Sequence, residues 1–301
     1  IAVTDGMGGR VFLVDLKGKA QVLTEGLNMP SQIAVDRNGD YIVANSGDHT
    51  IVRINQKSGK TEIIAGVRGT PGDNDGPASE ARFRAPIGVA VDANGNILVA
   101  DTYNDRIRKI SAEGQVTTIA GSVPGNADSP QPRFDTPCGL AISNDGSLWV
   151  ADTGNRAIRR VLPDGTVSTL ALTDEAGSAT SAGTPVALFT VSPEEIYYCD
   201  FDGSISYLHL SESPAARPPS GKDSKPSAYR PGVVYRVVGR GGSGLVDGDI
   251  SNARVNHPTG IALMGKNVLA FADGSNGLVR AAVVACALTP LMETATGAYW
   301  L

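Results

Sequence analysis

Three stretches of this chain align with one another without a gap: Pro86-IGVAVDANGNILVADTYNDRIRKI-Ser111, Pro137-CGLAISNDGSLWVADTGNRAIRRV-Leu162 and Pro30-SQIAVDRNGDYIVANSGDHTIVRI-Asn55. Internal repetition of this kind restricts the fold more than any other feature, because each unit must bury its apolar face against its neighbours. Two weaker copies begin at Pro185 and Pro258, and a copy without its head opens the chain at Ile1. One position marks every unit, an acid or amide that usually follows alanine: Asp5, Asn45, Asp101, Asp152, Asp200 and Asp273. Six units result, with landmarks 40 to 73 residues apart.

Each unit reads as short strands. Gly88-Val-Ala-Val, Ile97-Leu-Val-Ala and Ile107-Arg-Lys-Ile are brief β-rich runs, and Val116-Thr-Thr-Ile119 supplies a fourth. Asn94-Gly95, Asp145-Gly146 and Asp164-Gly165 are turn dipeptides between such runs. Helical periodicity longer than one turn is absent, which argues against a solenoid of helix pairs. Four strands per unit, repeated six times, predict an all-β chain folded as a six-bladed β-propeller. With 41% hydrophobic residues the chain can bury a sizeable core, and 36 glycines and 18 prolines fit its many tight turns.

The Pro-x-Gly-hydrophobic-Ala start, the Val-Ala-Asp middle with asparagine three residues on (Asn104, Asn155, Asn276) and the Ile-Arg pair that follows resemble the NHL-repeat family. The resemblance covers nearly the whole chain. It implies one domain over residues 1–301 with six four-stranded NHL-type blades; the proline-bearing stretch 211–231 reads as a Pro-rich insertion in the fifth blade. It implies little about activity, since one propeller scaffold carries unrelated functions.

Strand alternation fixes the geography. Loops between the second and third strands share a face with the blade-to-blade connections, and the long connections Ala65–Pro86, Ala120–Pro137 and Val238–Pro258 make that face loop-rich. The chain begins on a second strand, so Thr296–Leu301 is expected to supply the missing inner strand of the first blade.

No catalytic constellation stands out. The landmark acid recurs in most units, as a structural carboxylate would, holding loop N–H groups or a nearby arginine. Asp73-Asn-Asp-Gly76 mimics part of a calcium loop, yet Pro71 and Arg82 occupy the positions where the first acid and the terminal glutamate belong. His49, His209 and His257 fall in places that do not converge on one ion. Cys138, Cys199 and Cys286 lack metal-ligand spacing and cannot all pair within the chain. No cofactor, metal or catalytic residue is assigned.

The expected function is therefore a non-enzymatic binding or scaffold propeller, a subunit of a larger assembly. The alternatives are an axial-metal lyase or hydrolase of the six-bladed type and an RNA-binding NHL domain. A net charge of −5 weighs against nucleic acid, and no apolar run is long enough for membrane insertion. The expected partner-binding residues are Arg82, Tyr103, Asn104, Arg133, Asn155, Arg254 and His257, on the loop-rich face; the competing site is the 211–231 arm. Arg82, Arg133 and Arg254 each lie four residues before a blade proline, where they are expected to staple the connection through Asp75, Asp128 and Asp247. The start at Ile1, in mid-pattern, is compatible with a removed leader and an extracytoplasmic or organelle-lumen location.

Overall fold

The computed structural model describes residues 1–15, 17–211, 230–239, 243–248, 252–264 and 268–283. Thr296–Leu301, Cys286 and most of the 211–231 arm lie outside these residues. The fold is all-β, a β-propeller of six blades. Two compact units divide the chain, the first holding Ile1–Thr169 and the second beginning at Leu170.

The first unit carries four blades. Blade 1 has three strands, Ala2–Asp5, Arg10–Val14 and Ala20–Glu25. Blade 2 runs from inner to outer strand as Pro30–Val35, Tyr41–Asn45, Thr50–Ile54 and Thr61–Ala65. Blade 3 is Gly88–Val91, Ile97–Asp101, Arg106–Ile110 and Gln115–Gly121, and Gly76–Pro77 from the preceding connection adds a fifth strand at its outer edge. Blade 4 is Pro137–Ile142, Leu148–Asp152, Ala157–Val161 and Val167–Thr169. The second unit carries blade 5, Pro185–Ser192, Glu195–Asp200, Ser204–His209 and Val234–Val238, and the described strands of blade 6, Pro258–Met264, Val268–Asp273 and Leu278–Val283.

Every neighbouring pair within a blade is antiparallel, and bulges recur at equivalent places. The third and outer strands slip register at Val11/Phe12, Ile51/Val52, Ile107/Arg108 and Ile205/Ser206. A bulge adds local twist, which a blade requires. The second strands are buried along their length, as the Val-Ala runs predict. Between blades 2 and 3 the core packs Ile42, Ile51, Phe83, Val89 and Val99, all fully buried.

The glycine of the Pro-x-Gly start has a packing cause. A Cβ at Gly88 would sit 2.1 Å from the Cys138 carbonyl oxygen, so the inner strands of blades 3 and 4 approach only because position 88 has no side chain. Gln32 of blade 2 reaches further, donating from Nε2 to the Leu140 carbonyl at 2.7 Å and accepting the Leu140 N–H at Oε1 at 3.0 Å. One amide side chain thereby ties the inner strands of blades 2 and 4.

Candidate functional site

The loop-rich face is built on the landmark acids. Asp101 accepts the Arg84 N–H at 2.7 Å, the Asn104 amide at 2.8 Å and Arg108 Nη1 at 2.7 Å. Asp152 repeats this with the Asp135 N–H, Asn155 and Arg159, and Asp273 with the Asn256 N–H, Asn276 and Arg280. The backbone donor comes from the connection, two residues before the blade proline, and not from the middle loop alone. Burial pushes the Asp101 and Asp152 carboxyls above the ordinary aspartate range, while the backbone N–H, the asparagine amide and the guanidinium oppose it. The landmark is thus a structural node in these blades.

The guanidinium that staples each long connection is Arg108, Arg159 or Arg280, on the third strand, which corrects the expectation for Arg82, Arg133 and Arg254. Arg108 bonds Asp75 at 2.6 Å, Arg159 bonds Asp128 at 2.8 Å and Arg280 bonds Asp247 at 2.6 Å. The three expected arginines take part through their backbone: each carbonyl accepts from the staple's Nη1, and each N–H donates to a carbonyl of its own connection. The physical reason is direction. A third-strand side chain rises beneath the connection and meets both acids, whereas Arg82, Arg133 and Arg254 run along the connection itself. The Phe83 and Phe134 rings lie within 5.2 Å and 5.0 Å of the Arg108 and Arg159 guanidinium carbons.

In the sequence the staple occupies the position seven residues after the landmark in blades 3, 4 and 6. These are the blades preceded by a long connection bearing aspartate. Blade 2 has Val52 at that position and a short connection. There the acid and amide also trade places: Asn45 donates to Asp48 at 3.1 Å where Asn104 donates to Asp101.

The amides of Asn104 and Asn155 are bonded within the fold. Each amide donates to the landmark acid and to a connection carbonyl, Gly72 and Gly125 respectively, at 2.7 Å. Tyr103 is exposed, as are Arg133 and Arg254, and Arg82 is partly so. His257 stacks on Phe201 with centroids 4.2 Å apart, and its Nδ1 shares a 2.5 Å hydrogen bond with Ser275 Oγ. His49 accepts the Ala85 N–H at Nδ1, the place that Asp105 fills for Thr136 one blade on. Asp73 and Asp75 of the calcium-like loop are bonded to Arg106 and to Arg108. Among the described residues no group of three His, Cys, Asp or Glu is placed to hold a metal ion.

One further feature escaped sequence reading. Apart from Val22 and Ile63 on outer strands, the exposed large apolar side chains of the first unit, among the described residues, are Met7, Met29, Tyr103 and Val123. All four sit on middle loops or connections, hence on the loop-rich face. In the second unit Phe201, Leu245 and Val246 do likewise, whereas Leu278 and Val279 are exposed on a strand.

Comparison with known proteins agrees with this architecture. The NHL repeat model matches residues 27–54 and 83–110. NHL repeat-containing protein 2 of Homo sapiens is 30% identical over 84% of the chain, which spans 38% of that protein. A probable peptidyl-alpha-hydroxyglycine alpha-amidating lyase of Caenorhabditis elegans is 34% identical over 44% of the chain and 36% of its own length. The chain therefore spans little more than a third of these curated relatives. Among solved structures, a virginiamycin B lyase from Staphylococcus aureus matches with a TM-score of 0.56 at 15% identity, over 94% of this chain and 80% of that one. At that identity the likeness concerns the fold. By its repeats, its blades and this relationship, the chain belongs to the NHL-repeat family.

Proposed function

We propose that this chain is a non-catalytic propeller module that binds a protein partner through its loop-rich face. The observation that carries the reading is the placement of exposed apolar groups there, with Met7 at 96% and Tyr103 at 59% exposure. Aromatic, methionine and arginine side chains are the composition enriched at protein interfaces. The acids beside them serve structure: Asp101, Asp152 and Asp273 are committed to arginines. Similarity to two lyases gives the competing reading, an enzyme of the propeller type, and similarity to NHL proteins in general gives RNA binding.

The test starts from protein that co-purifies in stoichiometric amount with the native chain, re-purified and added back. The expected result is that M7Q/Y103A weakens this reconstituted complex by about tenfold or more, within the range of interface anchors, with an unchanged melting temperature. Undiminished binding by a variant that melts normally would overturn the face assignment. Metal-dependent turnover by the native chain would overturn the non-catalytic reading.

A further inference from the structure

Arg82 and Arg133 have a feature that folding does not explain. Their stems lie across glycines of their own connections: a Cβ at Gly72 would meet Arg82 Cδ at 2.9 Å and Cβ at 3.0 Å, and one at Gly125 would meet Arg133 Cδ at 3.0 Å. Arg254 of the second unit repeats the arrangement over Gly244. Glycine thus keeps room for the arginine stem in three connections. The guanidinium heads, however, make no hydrogen bond or ion pair among the described residues, because Arg108, Arg159 and Arg280 have taken the neighbouring acids. A stem held against backbone with a free head is a preorganised donor.

The pairing around these heads is uneven, because Arg108 and Arg159 each hold two carboxylates. In the first unit Arg82, Arg84, Arg133 and Arg156 lack an acidic partner among the described residues, whereas the neighbouring acids are largely engaged. Asp48 pairs with Arg68, Asp73 with Arg106, Asp75 with Arg108, and Asp128 with Arg159. Asp105 accepts the Thr136 N–H. Glu80 and Asp135 alone remain without such a bond on the connections before blades 3 and 4, against four guanidinium groups. Acids and arginines of these loops nearly balance in number, so the four guanidinium groups stand out by being unpaired rather than by a net positive charge.

Resting on the binding reading above, we infer that the partner presents an acidic segment, whose carboxylates are received by Arg82 and Arg133 beside Tyr103. Guanidinium forks match carboxylates in geometry as well as charge. Apolar Met7, Met29 and Val123 on the same face favour a protein over a nucleic acid, whose backbone offers such side chains little.

The experiment uses the full chain and a fluorescent glutamate-rich peptide of mixed Glu, Leu and Phe as probe, with single-stranded oligo(U) RNA and a lysine-rich peptide as comparisons. The acidic peptide should bind, and weaken as ionic strength rises from about 0.05 to about 0.3 M. R82Q/R133Q should reduce its affinity about tenfold, the scale of charge-assisted hydrogen bonds, without lowering the melting temperature, since neither head bonds among the described residues. E80Q, which removes a neighbouring acid, should not reduce it. Failure of the acidic peptide to bind, equal binding of the lysine-rich peptide, tighter binding of oligo(U), or indifference to R82Q/R133Q would each overturn the inference. If the reconstituted native complex forms normally with R82Q/R133Q yet fails with M7Q/Y103A, the acidic-segment inference falls and the docking face stands. If both variants form it normally, both readings fall.

Discussion

Arg108 Nη1 lies 2.7 Å from Asp101 Oδ2, with both side chains wholly removed from solvent. The same guanidinium holds the half-exposed Asp75, so one residue joins the blade core to the connection above it. Arg159 does the same with Asp152 and Asp128.

Removing one member of such a pair leaves an uncompensated buried group. R108V should therefore cost about 3–5 kcal/mol in chemical denaturation. Blade 2 suggests the repair, because it pairs Asn45 with Val52 at the same positions. Adding D101N to R108V should recover part of the loss, since an amide oxygen still accepts the Arg84 N–H and no unpaired charge is buried, while the Asn104 amide loses its carboxylate acceptor. No recovery in the double variant would show that the connection, and not the buried charge, dominates.

The pH dependence of R108V follows from the same burial. Without the guanidinium, the Asp101 pKa rises further above its unfolded value, and a raised carboxyl stabilises the fold in acid and loses that contribution as pH rises. The stability deficit of R108V relative to the native chain should thus be smaller near about pH 4 than at neutrality. Melting temperatures of both proteins across this range measure it; a deficit that grows in acid would contradict the assignment.

Asp5 behaves in the opposite sense. The Gly8 N–H and then the Arg10 side chain hold its carboxyl below the usual range. Its contribution is present above the unfolded pKa and disappears as pH falls through the depressed folded value. D5N should flatten the acid limb of the melting curve while leaving R108V-type effects at neutral pH unmatched in size, because Asp5 and Arg10 are partly exposed.

Gln32 offers a test of how the inner strands are tied. Q32L removes both hydrogen bonds to Leu140 and should cost about 1–3 kcal/mol. Q32E keeps an acceptor for the Leu140 N–H but loses the donor to its carbonyl, and should also destabilise. Denaturant midpoints of the two variants provide the measurement, and unchanged midpoints would mean the bridge contributes nothing.

Cys199 is fully buried, and burial together with the nearby Asp200 charge pushes its thiol well above the ordinary range. In a C138S/C286S variant, an aromatic disulfide reagent at pH about 8 should label no thiol in the native state and one after denaturation. Rapid native labelling would place Cys199 at the surface.

Six landmark positions, the strand runs and the turn dipeptides were enough to define the blades, because each unit repeats one local pattern and local patterns are legible without contacts. Cys199 could be placed in the core for the same reason, as it replaces Ala100 and Ala151 of sister units. The staple was not legible in the same way. Arg82 and Arg108 are equally plausible partners for Asp75 along the chain, and only the rise of the third strand beneath the connection selects Arg108. Asn104 and Asn155 similarly look available until their amides are seen bonded to Gly72 and Gly125.

The sequence by itself determined the repeat, the strand order within each blade and the face on which the long connections emerge, since periodicity and chain direction are local properties. Only tertiary structure decided which charges are consumed and which remain free. The choice of Arg108 over Arg82 for Asp75 depends on side-chain direction across 33 positions of chain, and on the desolvation that makes one arrangement favourable. That choice leaves Arg82 and Arg133 on the surface with nothing in the described fold to bind.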